Sequence, residues 1–228
     1  MTRPAHFKFT AGQFARIGLK VGDDLVVRAY SVVSSPFDET LEFFSIVVPD
    51  GAFTSNLQHL QVGDELYLEK IPYGFLTLAR YQLPLPQDLW LLGTGTGLAP
   101  FLSMLQDFET WQKYSKINLV YSVRTEAELA YVERINEIAA MFGEGHTGFQ
   151  FIPIITRDPN APLHDRLPVL IANGELEKAA GMALNPATSH VMLCGNPQMV
   201  EDTKEALKAR GLTMNRRGEG NIAVENYW

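Results

Sequence analysis

The hydrophobic pattern splits the chain in two. From Phe7 to about Thr77, short apolar runs at 13–19, 25–33, 41–48 and 65–71 are separated by turns such as Val21-Gly-Asp-Asp and Val62-Gly-Asp. Strands at this spacing predict a small antiparallel β-barrel. Between the third and fourth runs, Asp50-Gly-Ala-Phe-Thr-Ser-Asn-Leu-Gln-His-Leu sets a turn glycine ahead of Thr and Ser. That order predicts one short helix, with a free N-terminus suited to an anion. Pro84-Leu-Pro-Gln-Asp88 then has the composition of a linker. Beyond it the period changes: strand 89–93, helix 98–113, strand 117–123, helix 126–142, strand 149–156, a helical stretch near 166–180, strand 190–194, helix 197–210 and a last strand near 221–226. Such alternation predicts a doubly wound, mainly parallel sheet with helices on both faces and ligands at the carboxyl ends of its strands. The expected fold is therefore two-domain, a β-barrel over 1–87 followed by an α/β unit over 88–228.

The turn where the two patterns meet carries the first candidate chemistry. Leu89-Trp-Leu-Leu-Gly-Thr-Gly-Thr-Gly-Leu-Ala-Pro is an apolar strand that ends in three alternating glycines. Gly93, Gly95 and Gly97 let a ligand approach the backbone, and the helix that follows aims free amides at an anion. A dinucleotide pyrophosphate fits. The spacing is Gly-x-Gly-x-Gly, however, and not the Gly-x-Gly-x-x-Gly fingerprint, so plain turn chemistry explains it equally well.

The second strand of this half narrows the ligand. NAD-binding domains place an acidic residue there to hold the ribose 2'-hydroxyl. Here the strand ends in Val123-Arg124, the next ends in Thr156-Arg157, and Arg166 follows a Pro-rich loop. Three arginines at or just beyond adjacent strand ends suit bidentate recognition of a phosphate monoester such as the 2'-phosphate of NADP. Each alone is equally well explained as a surface arginine paired with Glu126, Glu128, Asp158 or Asp165; together they favour phosphate.

Composition sets outer bounds. The chain has 228 residues, 46% hydrophobic and 20% charged, as in soluble globular proteins. No apolar stretch reaches the length of a membrane span, and Met1-Thr-Arg-Pro-Ala-His lacks a signal-peptide core, so a cytoplasmic protein without membrane partners is expected. A net charge of -7, with no basic tract longer than Arg216-Arg217, argues against nucleic acid. One cysteine, Cys194, excludes an internal disulfide or a four-cysteine cluster, so any electrons must travel on an organic cofactor.

Taken in order, Arg28-Ala-Tyr-Ser-Val, Phe44-Ser-Ile-Val-Val-Pro-Asp-Gly-Ala-Phe-Thr-Ser, Gly93-Thr-Gly-Thr-Gly-Leu-Ala-Pro, His190-Val-Met-Leu-Cys-Gly-Asn-Pro-Gln-Met-Val and the terminal Val224-Glu-Asn-Tyr-Trp resemble bacterial-type ferredoxin (flavodoxin)-NADP(+) reductases over nearly the whole chain. The resemblance implies an FAD-binding barrel, an NADP-binding α/β domain and electron exchange between NADP(H) and ferredoxin or flavodoxin by a monomer. It places Arg28 at the FAD pyrophosphate, with Ala29 beside it, Tyr30 on the isoalloxazine and Ser31 near flavin N5. Phe44, Ser45 and Ile46 would line the flavin, with Ala52, Phe53 and Thr54 at its phosphates and Thr94 close by. Tyr227 would cover the opposite flavin face and Trp228 the adenine. Val123, Arg124, Thr156, Arg157 and Arg166 would take NADP, and Ser31, Cys194, Glu225 and Tyr227 would surround the hydride contact. The family's barrel begins one strand ahead of the segment matched by Phe9-Thr-Ala-Gly-Gln-Phe, so a barrel short of its first strand is expected. Other chemistry on this scaffold, a free-flavin reductase or an oxygenase reductase component, remains open at this point, as does a non-catalytic FAD-binding module.

Overall fold

A computed structural model describes residues 1–81, 87–143 and 148–226. In the N-terminal half, β1 (Phe14–Val21) and β2 (Asp24–Ser31) form a hairpin, and β3 (Tyr67–Leu68) pairs with the other side of β1. Gly22, at φ 63°, supplies the left-handed turn that the two-residue connection needs. Along β1, Ala15, Ile17 and Leu19 point inward while Arg16 and Lys20 face water. The inward set packs on two apolar clusters that include Phe7, Phe9, Val32 and Leu41 on one side and Phe53 on the other. Single bridges at Phe14–Tyr73 and Val32–Phe43 tie loops to this sheet or its margin, and one at Thr2–Thr40 joins two loops to each other.

The second half is a five-stranded parallel sheet of β4 (Asp88–Thr94), β5 (Lys116–Val123), β6 (Phe149–Ile155), β7 (Ser189–Gly195) and β8 (Ile222–Asn226), in the order β6-β5-β4-β7-β8. Alternation within β4 sorts the two faces. Leu89 and Leu91 meet the cluster holding α2 (Ala99–Leu105), α3 (Phe108–Lys113) and α4 (Val132–Phe142), whereas Trp90 and Leu92 meet α5 (Leu167–Ala172), α6 (Glu175–Ala180) and α7 (Pro197–Ala209). The chain winds outward from β4 to β6 and then returns to β7, so the strand order reverses at the β4–β7 pair. In such sheets the crevice at that reversal is the ligand site.

Several elements differ from the pattern-based expectation, each for a local reason. Residues 41–48 do not form a ladder strand: the Glu42 amide donates to Ser34 Oγ and the Val48 amide to Thr54 Oγ1, while Ile46, Val47 and Val48 lie exposed. The helix expected over 98–113 breaks where Asp107 accepts the Glu109 amide and restarts the chain as α3. Tyr131, at φ 64°, delays α4 past a short 3-10 turn at Glu126–Glu128. Gly174, at φ 79°, divides 166–180 into α5 and α6. The β-run at 65–71 shortens to β3, and the expected linker gives up Asp88 to β4; its residues 84–86 lie outside the described residues. The helix within the barrel, α1 (Thr54–Leu57), is a single turn and too short for much of a dipole.

Two seams hold the halves together. At the first, Ser103 Oγ donates to Ser34 O (2.8 Å), Gln106 Nε2 to Val33 O (2.8 Å) and Ser35 Oγ to Gln106 O (3.2 Å), so α2 is fastened to the barrel. At the second, the buried Tyr81 hydroxyl donates to Val191 O and Asn221 O, both at 3.0 Å. Its ring stacks on His190 at 3.5 Å and 11°, and His190 Nδ1 shares a hydrogen bond with the Tyr114 hydroxyl. Burial pushes the His190 imidazole down to about 4, so it stays neutral near pH 7.

The glycine turn is placed by close packing. A Cβ on Gly97 would sit 2.2 Å from Cys194 O and 2.7 Å from Gly195 Cα, while a Cβ on Gly95 would meet nothing within 4 Å despite its φ of 54°. Gly97→Ala should therefore cost about 3 kcal/mol, at the upper end of overpacking penalties. Gly95→Ala should cost only the left-handed backbone penalty of about 1–2 kcal/mol. Denaturant unfolding of the two variants measures the difference, and a Gly97→Ala penalty no larger than that of Gly95→Ala would contradict this packing.

Candidate functional site

The barrel opens toward the parallel sheet through a pocket of about 230 Å³, whose walls come from three stretches distant in sequence. The end of β2 contributes Arg28, Ala29, Tyr30 and Ser31. The loop into α1 contributes Phe44, Val48, Gly51, Ala52, Phe53 and Thr54, and the glycine turn contributes Thr96. Pairing along the β1–β2 hairpin sets Tyr30 opposite Ala15 and Ser31 opposite Phe14, which fixes how the Arg-Ala-Tyr-Ser run enters the pocket.

The side chains give the pocket its chemistry. Tyr30 is half-buried with its ring 5.7 Å from that of Phe53, and burial raises its phenol, partly offset by the Arg28 charge. Phe44 meets Tyr131 edge-on at 5.3 Å. Arg28 is exposed and spends one hydrogen bond on Val27 O, leaving most of its guanidinium donors to solvent. Ser31 is 2% exposed, and its Oγ has no hydrogen-bond partner among the described residues. Thr54 Oγ1 accepts the Val48 amide at 2.9 Å and closes the loop, while the Ala52 and Phe53 amides donate to no backbone acceptor among the described residues. Three aromatic rings, a guanidinium and unengaged amides suit a flat heterocycle carrying a diphosphate.

The carboxyl edge of the parallel sheet supplies a second group of residues. Cys194 is fully buried, paired across to Gly93 on β4 and to Glu225 on β8. Glu225 reaches the barrel: Gly74 lies so close that a Cβ there would be 2.8 Å from Glu225 Oε2, and Phe14 crowds the same point. Glu225 Oε1 is buried with no hydrogen-bond partner among the described residues, and burial pushes its carboxyl up to about 7. Phe14, which pairs with Ser31 on one side and Tyr73 on the other, thus stands between the Ser31 strand end and the Glu225 carboxylate; Ser31 lines the pocket, whereas Glu225 and Cys194 do not.

A third group sits farther along the same edge. The Arg157 amide donates to Arg124 O at 2.9 Å, and Thr156 donates to Val123 O through both its amide and its hydroxyl. These bonds extend the β5–β6 pairing past the strand ends, so Arg124 and Arg157 leave the sheet side by side. Arg166 stands exposed at the start of α5. Among the described residues Arg157 and Arg166 make no ion pair, whereas Arg124 is paired with Glu128. That carboxylate is held below its ordinary value chiefly by the Arg124 hydrogen bond.

Eight of the residues expected at the flavin thus line one pocket. Ser45 and Ile46 do not, Ile46 being 61% exposed. Thr94 does not either, because it faces β7: its Oγ1 accepts the Asn196 amide at 3.2 Å and lies against Gly195. Thr96, two residues on, takes the wall position instead. Val48 and Gly51 join the wall as well, within the Phe44–Ser55 stretch that carried the resemblance. Tyr227 and Trp228 lie outside the described residues.

Comparison with known proteins agrees with this division. The family model described as the oxidoreductase FAD-binding domain matches residues 1–77, and that described as the oxidoreductase NAD-binding domain matches 91–205. The chain is 42% identical over 231 residues to a ferredoxin–NADP reductase of Pseudomonas aeruginosa, covering 98% of this chain and 88% of that protein. It is 41% identical over 223 residues to the flavodoxin/ferredoxin–NADP reductase of Escherichia coli, covering 96% and 88%. Among solved structures, a ferredoxin NADP+ reductase from Neisseria gonorrhoeae with bound FAD and NADP superposes with a TM-score of 0.90 at 38% identity, covering 99% of this chain and 89% of that one.

Glu225 gives this site a pH signature. Its carboxyl binds a proton more tightly folded, near 7, than unfolded, near 4.5. Its contribution to stability is full below about pH 4.5 and is lost as pH rises through about 7. Glu225→Gln should remove that decline from a series of denaturant midpoints between pH 5 and 8. An unchanged pH slope in the variant would show that Glu225 is solvated.

Proposed function

The chain belongs to the ferredoxin/flavodoxin–NADP reductase family, and on that premise we propose how its own residues carry out the exchange of electrons between NADP(H) and ferredoxin or flavodoxin. The observation that carries the proposal is that Thr96, from the glycine turn of the parallel sheet, lines the same pocket as Arg28, Tyr30 and Phe53 of the barrel. One wall therefore serves both halves, and a group held in the barrel pocket faces the edge where a coenzyme is delivered.

FAD supplies the redox chemistry when bound, joining a two-electron hydride carrier to one-electron carriers. The barrel pocket fits it. Arg28 and the amides before α1 would take the diphosphate, and Tyr30 and Phe44 would offer aromatic surface to the planar ring system. Ser31 on the pocket wall and Glu225 behind Phe14 each hold an unpartnered oxygen that would orient the reacting groups. Glu225, titrating near neutrality, can hold or release a proton at its Oε1. Cys194, buried beside Glu225 on β7, packs the floor of that edge. We place the boundary between the two functional halves at 87/88.

Coenzyme choice falls to the arginine group. Arg124, Arg157 and Arg166, with Val123 and Thr156 setting the backbone, hold the 2'-phosphate that distinguishes NADP from NAD. Arg157 is the cleanest probe because it makes no ion pair among the described residues. Arg157→Ala removes a charge-assisted hydrogen bond of about 1.5–3 kcal/mol, so kcat/KM for NADPH should fall roughly 10- to 100-fold while that for NADH changes less than about twofold. Steady-state kinetics with both coenzymes measures this, and equal losses with the two would refute the assignment.

A further inference from the structure

Glu128 is placed differently from an ordinary surface carboxylate. It sits in the 3-10 turn that follows β5, with its own amide bonded to Thr125 O and its carbonyl accepting the Tyr121 hydroxyl. Its two carboxylate oxygens divide their work. Oε2 accepts the Arg124 amide at 2.9 Å, and Oε1 accepts Arg124 Nε at 2.8 Å while also facing Nη2. A guanidinium has a side edge, formed by Nε and one terminal nitrogen, and an end edge formed by the two terminal nitrogens. Glu128 occupies the side edge. The end edge of Arg124 remains for a second oxyanion, and the Arg124–Arg157 backbone bond keeps the two arginines on neighbouring strand ends.

We propose that Glu128 is a positioning residue for coenzyme specificity: it holds Arg124 in the conformation that grips the 2'-phosphate, so that binding does not have to order a long side chain. This rests on the assignment of Arg124 to that phosphate. The carboxylate is ionised at working pH, and the Arg124 hydrogen bond lowers its pKa further below the ordinary value. Its negative charge also repels a phosphate. Positioning outweighs that repulsion because the pair lies at the surface, Arg124 64% and Glu128 35% exposed, where salt screens charge effects, while the rotamer cost of ordering an arginine is not screened.

Calorimetric titration of the FAD-loaded protein with 2'-phospho-AMP and with 5'-AMP tests this without turnover. Glu128→Ala should weaken 2'-phospho-AMP binding about 3- to 10-fold and leave 5'-AMP unchanged, a selective loss that a merely structural role would not produce. Glu128→Gln, which keeps an oxygen for Arg124 but drops the charge, should stay within about twofold of wild type. In an Arg124→Ala background, Glu128→Ala should not weaken binding further, since only the repulsion is left to lose. Tighter 2'-phospho-AMP binding in either Glu128 variant would mean that repulsion dominates and would overturn the proposal, as would equal weakening of both nucleotides. If Arg124→Ala leaves 2'-phospho-AMP binding intact, the arginine assignment fails. If Arg124→Ala weakens binding and Glu128→Ala does not, the arginine assignment stands and only the role of Glu128 falls.

Discussion

The approach of the Gly97 backbone to the Cys194 carbonyl is the constraint on which the site depends. Because no Cβ intervenes, the turn after β4 folds down onto the end of β7, and Thr94 can accept the Asn196 amide across the gap. That contact fixes where α2 begins. With α2 so placed, Ser103 and Gln106 reach the backbone of Val33 and Ser34, and the barrel is held at the carboxyl edge of the sheet. Thr96 then lines the barrel pocket as a consequence of the same packing. A bulkier residue at 97 would separate the strand ends and misalign both walls at once.

Polar groups are treated in opposite ways at the two ends of this edge. Near the barrel pocket, oxygens of Ser31 and Glu225 are buried without hydrogen-bond partners among the described residues, a costly arrangement that makes sense where a ligand completes it. At the far end, Arg157 and Arg166 stand exposed and without ion pairs among the described residues, in a chain whose net charge is -7. Local positive charge of this kind in an acidic protein suits the guidance of a polyanion to one place. The second seam differs from both. The hydroxyls of Tyr81 and Tyr114 and the Nδ1 of His190 are satisfied, and burial keeps the imidazole neutral, so this cluster joins the halves without taking part in proton chemistry near pH 7.

Much of this was legible in the sequence because the two periodicities differ so sharply. Five near-continuous apolar strands alternating with amphipathic stretches specify a parallel sheet, and the arginines at its strand ends led to the phosphate proposal. The barrel was less readable. Residues 41–48 carry a strand-like composition, yet their backbone is satisfied by Ser34 and Thr54 side chains, a non-local solution that no window of sequence displays. Helix interruptions at Asp107 and Tyr131 arise from a side-chain cap and a left-handed tyrosine, and apolar periodicity runs through both without a break. Thr94 and Thr96 share one motif and alternate in direction, so choosing between them required the turn geometry. The pairing of Arg124 with Glu128 was visible as one option among several carboxylates; which edge of the guanidinium it occupies was not.

Central to this account is one pocket that holds FAD against an edge that delivers NADPH. The visible spectrum of the purified protein, recorded before and after anaerobic addition of NADPH or NADH, tests it directly. An oxidised flavin spectrum is expected, from FAD that stays with the protein through gel filtration and is bleached by NADPH much faster than by NADH. A colourless protein that FAD cannot reconstitute, or a bound flavin that NADPH leaves oxidised, would contradict it.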